Sequence, residues 1–328
     1  MNFDKTDGDG MTEKDQTGGE SAGGTHGKSG KPYPYIRKIP FIGQRLADRM
    51  DPAPVVPVIR LTGVVGDAGR FRQSGLTLAD LVEPIDKAFE NDKAVAVALI
   101  VNSPGGSPVQ SDLIAKRIRL LAAEKDRKVI AFLEDAAASG GYWLACAADE
   151  IYAADASVVG SIGVISAGFG FPALLEKAGI ERRVYTAGEA KAQLDPFQPE
   201  NQDDIKRLKL LQKDIHEQFT GWVKERRGDR LKAPEKKLFS GEFWTGRQAL
   251  ELGLVDGLGE IRTICRGKFG DNVKMPIMTP RKSWVQRMVG LRGRSDFGGG
   301  FGTDLAAALP DALVNAADRR FWWSRLGL

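Results

Sequence analysis

Asp135-Ala136-Ala137-Ala138-Ser139-Gly140-Gly141-Tyr142-Trp143 is the stretch from which the rest of the chain is read. The apolar run before it, Lys128-Val129-Ile130-Ala131-Phe132-Leu133, predicts a buried strand, and Tyr142 to Ala148 predicts a short helix. A serine among small residues, where a strand turns into a helix, can sit with its hydroxyl exposed and its flanking amides free. The helix start adds unpaired N–H groups and a partial positive charge, which suits the oxyanion of an acyl-transfer intermediate. By itself Ser-Gly-Gly is a weak signal, since most serines before a glycine pair merely make a turn.

Two further segments add to it. Ala94 to Val101 is apolar throughout, the pattern of a strand buried on both faces in a parallel sheet covered by helices. It ends in Asn102-Ser103-Pro104-Gly105-Gly106-Ser107, a turn whose glycines let the backbone approach a ligand closely. A helix from Ser111 to Lys125 follows, with Ile114, Ile118 and Leu121 on one stripe and Lys116, Arg117 and Arg119 on a solvated face. The other segment, Thr186 to Phe197, is loop-like and sets Lys191 among small residues. The ordinary reading of a loop lysine is exposure to solvent.

Around these, Val58 to Val65 predicts a strand, and Leu76 to Asn91 a helix with Leu78, Leu81, Val82, Ile85 and Phe89 on one side. Pro84 inside that helix predicts a kink or a late start. Ile151 to Ala154 predicts a strand, and Val158 to Ser166 packs Gly160 and Gly163 around Ser161. Gly168 to Ala173 matches a loose dinucleotide pattern, but without an acidic ribose partner it reads as a tight turn into a helix from Pro172 to Ala178. Arg182-Arg183-Val184-Tyr185 predicts a short strand. Gln202 to Arg227 predicts a long amphipathic helix with Ile205, Leu208, Leu211, Ile215, Phe219 and Trp222 along one side and His216 at the boundary. Leu238 to Gly246 and a helix from Arg247 to Leu252 close the domain.

Composition narrows the chemistry. The 328 residues are 42% hydrophobic, enough for a substantial core, and the net charge of +4 does not suggest a nucleic-acid binder. Cys146 and Cys265 lie far apart without a Cys-x-x-Cys, so neither a disulfide framework nor a zinc site is indicated. With only His26 and His216 present, a His-rich metal site is ruled out, and a Ser-His-Asp triad would have to use one of the two. No metal and no cofactor are expected. Met1 to Lys31 has no apolar core of a secretory signal, and no apolar run approaches the roughly 20 residues that span a bilayer. The cytoplasm is the expected location, with peripheral contact at the inner membrane as an option. The expected partition is a disordered polar tail at 1–31, a proline-rich connector at 32–57, a catalytic domain at 58–275 and an irregular extension at 276–328. Gly27-Lys28-Ser29 in the tail lacks the preceding strand and first glycine of a phosphate loop. The basic-aromatic end, Arg319 to Leu326, reads as a terminal helix docking on the domain, or else a contact with a membrane or a neighbouring subunit.

Taken together, the segments resemble the signal peptide peptidase A family of serine–lysine peptidases, over about Val58 to Asp256. The resemblance rests on Asn102-Ser103-Pro104-Gly105-Gly106, Ala138 to Trp143, Gly160-Ser161-Ile162-Gly163-Val164, and Gly188-Glu189-Ala190-Lys191 running to Pro196-Phe197. Phe239-Ser240-Gly241, Trp244-Thr245-Gly246 and Gly253-Leu254-Val255-Asp256 agree in order and spacing. The resemblance implies an α/β fold, a Clp-protease/crotonase-like superhelix of repeated ββα units. It implies that Ser139 is the nucleophile and Lys191 the general base, oriented by Ser161. The backbone N–H groups of Gly105, Gly106 and Gly140 would line the oxyanion hole. A free lysine, with a pKa near 10.4, is protonated at neutral pH, and burial is what lets such an amine accept a proton. The implied substrates are peptides, such as signal-peptide remnants or other unfolded or membrane-released chains. Members of this length form homo-oligomeric rings in which serine and lysine come from adjacent subunits. The family's usual N-terminal membrane anchor is replaced here by the polar tail, which leaves location and substrates open. Two rival readings of the same segments are an acyl-CoA hydratase or isomerase on the related scaffold and a non-catalytic ring scaffold at a membrane.

Overall fold

Strands β1 (Val58–Thr62), β2 (Val97–Ser103) and β3 (Val129–Ala138) run parallel at the heart of a mixed α/β fold. The computed structural model describes residues 53–66, 75–188, 190–279 and 326, so the tail, most of the connector and nearly all of the C-terminal extension lie outside the described residues. Successive side chains of a strand point to opposite faces. Val97, Leu99 and Val101 accordingly join one apolar cluster with Leu133, Ile114 and Ile118, while Ala98 and Ile100 join a second with Phe132, Cys265 and Val273. Burial on both faces is the reason β2 is a continuous apolar run.

Helices cover the first face. Thr77 caps α1 (Leu78–Phe89) by accepting from the Asp80 N–H, and Ser107 caps α2 (Pro108–Glu124) with Pro108 in its first turn. Pro84 is accommodated inside α1, and the predicted apolar stripe holds except for Val82, which is exposed. After β3 comes α3 (Gly140–Ala145), wholly buried. Then follow β4 (Glu150–Ala153), β5 (Val158–Gly160), α4 (Pro172–Lys177) and the long α5 (Gln202–Arg227). A short 3-10 turn leads to α6 (Glu235–Leu238), β6 (Phe243–Thr245), α7 (Gly246–Glu251), β7 (Gly257–Leu258), α8 (Ile261–Phe269) and β8 (Ile277–Met278). The eight strands form one sheet in the order β6-β5-β3-β2-β1-β8, with β4 pairing β3 and β7.

The long β3 changes partners along its length, and this places the turn after it. Ile130–Leu133 pair with β4, whereas Ala136–Ala138 pair with β5. On the other side the register with β2 shifts between Val101 and Ser103. Asn102 fills the irregularity: its Oδ1 accepts from the Ala136 N–H at 3.3 Å and its Nδ2 donates to Asp135 at 2.7 Å.

Two expectations fail on the same side of the molecule. Arg182 to Tyr185 is not a strand; it pairs with no sheet edge among the described residues and runs as exposed coil, Tyr185 being 91% exposed. Helix α5 has the predicted bounds, but only its C-terminal half packs. Phe219 and Val223 are buried, while Leu210 and Leu211 are 67% and 57% exposed.

Where α5 packs, it grips α3. The Trp222 indole donates to the Trp143 carbonyl at 3.0 Å, Arg226 Nε donates to the Cys146 carbonyl at 3.0 Å, and Phe219 stacks on Trp143 at 4.8 Å. These donors satisfy carbonyls that a helix end leaves without partners. Arg227, fully buried, donates to the Gly253 carbonyl and pairs with Asp256 at 2.8 Å. Burial alone would raise the Asp256 carboxyl, but Arg227, the Ile151 N–H and Arg230 outweigh it and hold the group below the usual carboxylate range. Burial pushes the Cys146 thiol up to about 12, so it is an inert core residue. Asp256→Asn is expected to cost about 3 kcal/mol in chemical denaturation at neutral pH, because it strands the buried Arg227 charge. Since the folded Asp256 carboxyl lies below its unfolded value, the wild-type advantage is complete above about pH 4 and shrinks as pH falls further. A difference that stays constant through acid would contradict that origin.

Candidate active site

Ser139 occupies the turn between β3 and α3 with φ 51° and ψ −122°, a conformation that non-glycine residues seldom adopt. The turn is fixed from three sides. The Ser139 N–H donates to the Gly160 carbonyl at 2.8 Å, and its carbonyl accepts from the Tyr142 and Trp143 N–H groups at 2.9 and 3.0 Å. On the third side the Pro104-Gly105-Gly106 turn presses against it. A Cβ on Gly105 would stand 2.7 Å from the Ser139 Cβ, and one on Gly106 would stand 2.0 Å from the Val65 carbonyl oxygen. Both glycines have positive φ, so this loop requires them for conformation as well as space.

The amides at this junction are not equivalent. Gly105 N–H already donates to the buried Ser103 Oγ at 3.2 Å. The Gly105 carbonyl accepts from Val65, and the Val65 carbonyl accepts from Ser107, each at 2.8 Å, which locks the loop. Gly106 N–H and Gly140 N–H have no acceptor among the described residues. They are close neighbours, since a Cβ on Gly140 would lie 3.3 Å from the Gly106 nitrogen and 2.5 Å from Ser111 Oγ. Of the three amides expected to line the oxyanion hole, two stand open and that of Gly105 is committed to Ser103.

A cavity of about 600 Å³ opens at this point, lined by Ser139, Gly106 and Ser161. Ser161 also has a positive φ of 52°, held by its N–H donating to the Glu242 carbonyl at 2.7 Å, and it follows directly on the Gly160 that receives the Ser139 N–H. Pro104, Pro108, Val164, Ile165, Phe239 and Phe243 give the cavity an apolar side. Helix α5 contributes Lys209, Gln212, Lys213 and His216, and Leu326 from the far end of the chain also lines it. The His216 ring Nε2 lies 3.3 Å from the Ile162 carbonyl, which fastens the helix to the segment carrying Ser161. His216, at the boundary of the apolar stripe in sequence, thus joins the cavity wall, and the i, i+3, i+4, i+7 spacing of the α5 quartet is the sequence signal for it.

Lys191 does not line this cavity; it sits exposed on a turn in which its N–H donates to the Gly188 carbonyl at 3.1 Å. The turn is nonetheless well braced. Arg182 pairs with Asp195 at 2.8 Å and lies 4.8 Å over the Phe197 ring, which contacts Phe171 at 5.7 Å. The Leu194 N–H donates to Asp204 at 3.1 Å. Within one chain, then, Ser139, Ser161, Gly106 and Gly140 come together and Lys191 does not join them. Among the described residues no group of three or more His, Cys, Asp or Glu is arranged to hold a metal ion. Nor is any described helix long and apolar enough to cross a membrane.

Comparison with known proteins bears on these residues. The model of peptidase family S49 matches residues 122–268, a span that includes Ser139, Ser161 and Lys191. A candidate protease of Synechocystis sp. is 34% identical over 214 residues, covering 62% of this chain and 75% of that protein. The chloroplast serine protease SPPA of Arabidopsis thaliana is 32% identical over 209 residues, 62% of this chain and 30% of the plant protein. The Na(+)/H(+) antiporter NhaA of Brucella abortus is 50% identical over 273 residues, 83% of this chain, and this chain spans 37% of its length.

The glycine geometry is testable through stability. Gly106→Ala should lose more than about 2 kcal/mol in chemical denaturation, because the new methyl meets the Val65 carbonyl at a strained φ. Gly168→Ala, where nothing lies within 4 Å, should stay within about 0.5 kcal/mol of wild type. Equal effects at the two positions would show that the loop tolerates a side chain after all.

Proposed function

Because the chain belongs to peptidase family S49, we propose that it is a serine endopeptidase in which Ser139 attacks the peptide and Lys191 accepts its proton. The observation that carries this reading is Ser139 held at a strained turn on a cavity wall, beside the two open amides of Gly106 and Gly140. In the first step the Ser139 oxygen adds to the carbonyl carbon and its proton passes to the lysine amine. The negative charge that develops on the carbonyl oxygen is met by those two N–H groups, which cost no reorganisation at the moment of reaction. Collapse breaks the C–N bond, the lysine returns its proton to the departing amine, and an acyl-Ser139 ester remains. Water, deprotonated by the same amine, then releases the acid and restores the serine. Ser161, on the same cavity, would orient the amine.

Lys191 is exposed to water and lies outside its own chain's cavity. Insertion of the Lys191 turn into the cavity of a neighbouring copy would solve both problems, because an interface desolvates the amine and brings it to Ser139. The exposed apolar side chains of the same region, Phe169, Leu174, Tyr185 and Leu210 among them, support a subunit contact there. The assembly we propose is a ring built from one heterologous interface on a Clp-protease/crotonase-type superhelix. Its substrates would be extended peptides, including signal-peptide remnants, and the chemistry needs no cofactor. Transport is no part of the reading, since the match to the antiporter covers 37% of that protein.

Ser139→Ala and Lys191→Ala should each lower kcat/KM for a fluorogenic peptide by at least about 10³-fold with the circular dichroism unchanged. Dissociating the two variants, mixing them equally and reassembling should restore about a quarter of wild-type activity. Half of the sites keep the serine, and half of those receive an intact lysine from the neighbour, as a heterologous ring requires. No recovery on mixing would exclude the shared site, and full activity in either single variant would remove the dyad.

A further inference from the structure

Helix α5 presents four polar side chains to the cavity, Lys209, Gln212, Lys213 and His216, spaced so that they lie on one face. Among the described residues the cavity lining contains two lysines and a histidine and no carboxylate. The Lys209 ammonium makes no ion pair or hydrogen bond among the described residues. Among the described residues Lys213 is paired only with Glu217, at 3.5 Å between two well-exposed side chains, a contact too long and too wet to neutralise it. The acidic residues nearer the start of the helix are otherwise engaged: Asp203 with Lys206, and Asp204 with Arg207 and the Leu194 N–H. His216 fixes one end of the stripe beside Ile162 and Ser161. At a rise of 1.5 Å per residue, Lys213 stands about 4.5 Å and Lys209 about 10.5 Å along the helix from that end. An extended peptide advances about 3.3 Å per residue, so the two ammonium groups match side chains one and three residues along it.

We infer that this wall selects acidic peptide segments. Resting on the peptidase reading of the same cavity, the inference assigns Lys209 and Lys213 as specificity-determining residues that attract Asp or Glu side chains of the substrate and repel Lys or Arg. The apolar side of the cavity, from Pro104 and Pro108 to Phe239 and Phe243, takes the uncharged residue at the cleavage point. Because the lysines remain in contact with water, each contributes about two- to fivefold in rate or affinity, and salt weakens the effect.

The test uses the full-length chain and two fluorogenic decapeptides, identical except that three aspartates in one are three lysines in the other, flanking a central leucine. Wild type should cleave the acidic peptide with a kcat/KM about tenfold higher at low salt, and the ratio should collapse toward one at about 0.5 M salt. Lys209→Glu/Lys213→Glu, altered only at exposed positions, should invert the preference, and Lys209→Gln/Lys213→Gln should abolish it. An unchanged ratio in the charge-reversed variant would overturn the inference while leaving the peptidase reading intact. If wild type cleaves neither peptide, that reading fails, and fluorescence anisotropy with the Ser139→Ala chain decides the wall separately. Tighter binding of the acidic peptide, inverted by charge reversal, would sustain it; equal binding, or none, would overturn it.

Discussion

The close approach of two backbone segments, Gly105 against Ser139, is the constraint on which the rest of the structure depends. A serine at φ 51° and ψ −122° is strained by about 1–3 kcal/mol and persists only where its surroundings leave no alternative. Here those surroundings are β5, through the Gly160 carbonyl, α3, through the Tyr142 and Trp143 amides, and the Gly105-Gly106 loop. Each is itself fixed by the sheet: β3 passes from β4 to β5 so that its end meets Gly160, and the β2–β3 register slip filled by Asn102 brings the glycine loop alongside. The sheet thus delivers Ser139 and Gly106 to the wall of one cavity, with the Gly140 amide beside them, and neither amide has an acceptor among the described residues.

Helix α5 extends that logic in two directions. Its C-terminal half ties down α3 through Trp222, Arg226 and the buried Arg227–Asp256 pair, so the strained turn rests on a rigid helix. Its N-terminal half projects with little packing, bearing a polar stripe toward the cavity and leaving Leu210 and Leu211 in water. A helix whose two halves meet such different surroundings is what a subunit that completes its site with a neighbour would need.

Much of this was legible in the sequence, for identifiable reasons. Strands β2 and β3 announced themselves because burial on both faces demands unbroken apolar runs. The positions of Ser139 and the glycine loop were legible because a strand-to-helix turn with no room for side chains leaves a recognisable string of small residues. Reading failed where the deciding contact is absent from the chain's own pattern. Arg182 to Tyr185 has strand-forming residues but no edge to pair with among the described residues, and Val82 and Leu211 fit an apolar period yet stand exposed. The committed amide of Gly105 depends on where Ser103 Oγ points, and the place of His216 on the rotational phase of a 26-residue helix relative to the cavity. Neither is encoded in spacing alone.

The central claim is that the hydroxyl of Ser139 is an activated nucleophile. Treatment of the active protein with a fluorophosphonate, followed by peptide mapping in a mass spectrometer, tests it most directly. The account predicts one phosphonylated residue, Ser139, formed in step with loss of peptide cleavage and prevented by excess peptide substrate. Modification of a different serine, or full inhibition with Ser139 unmodified, would contradict it.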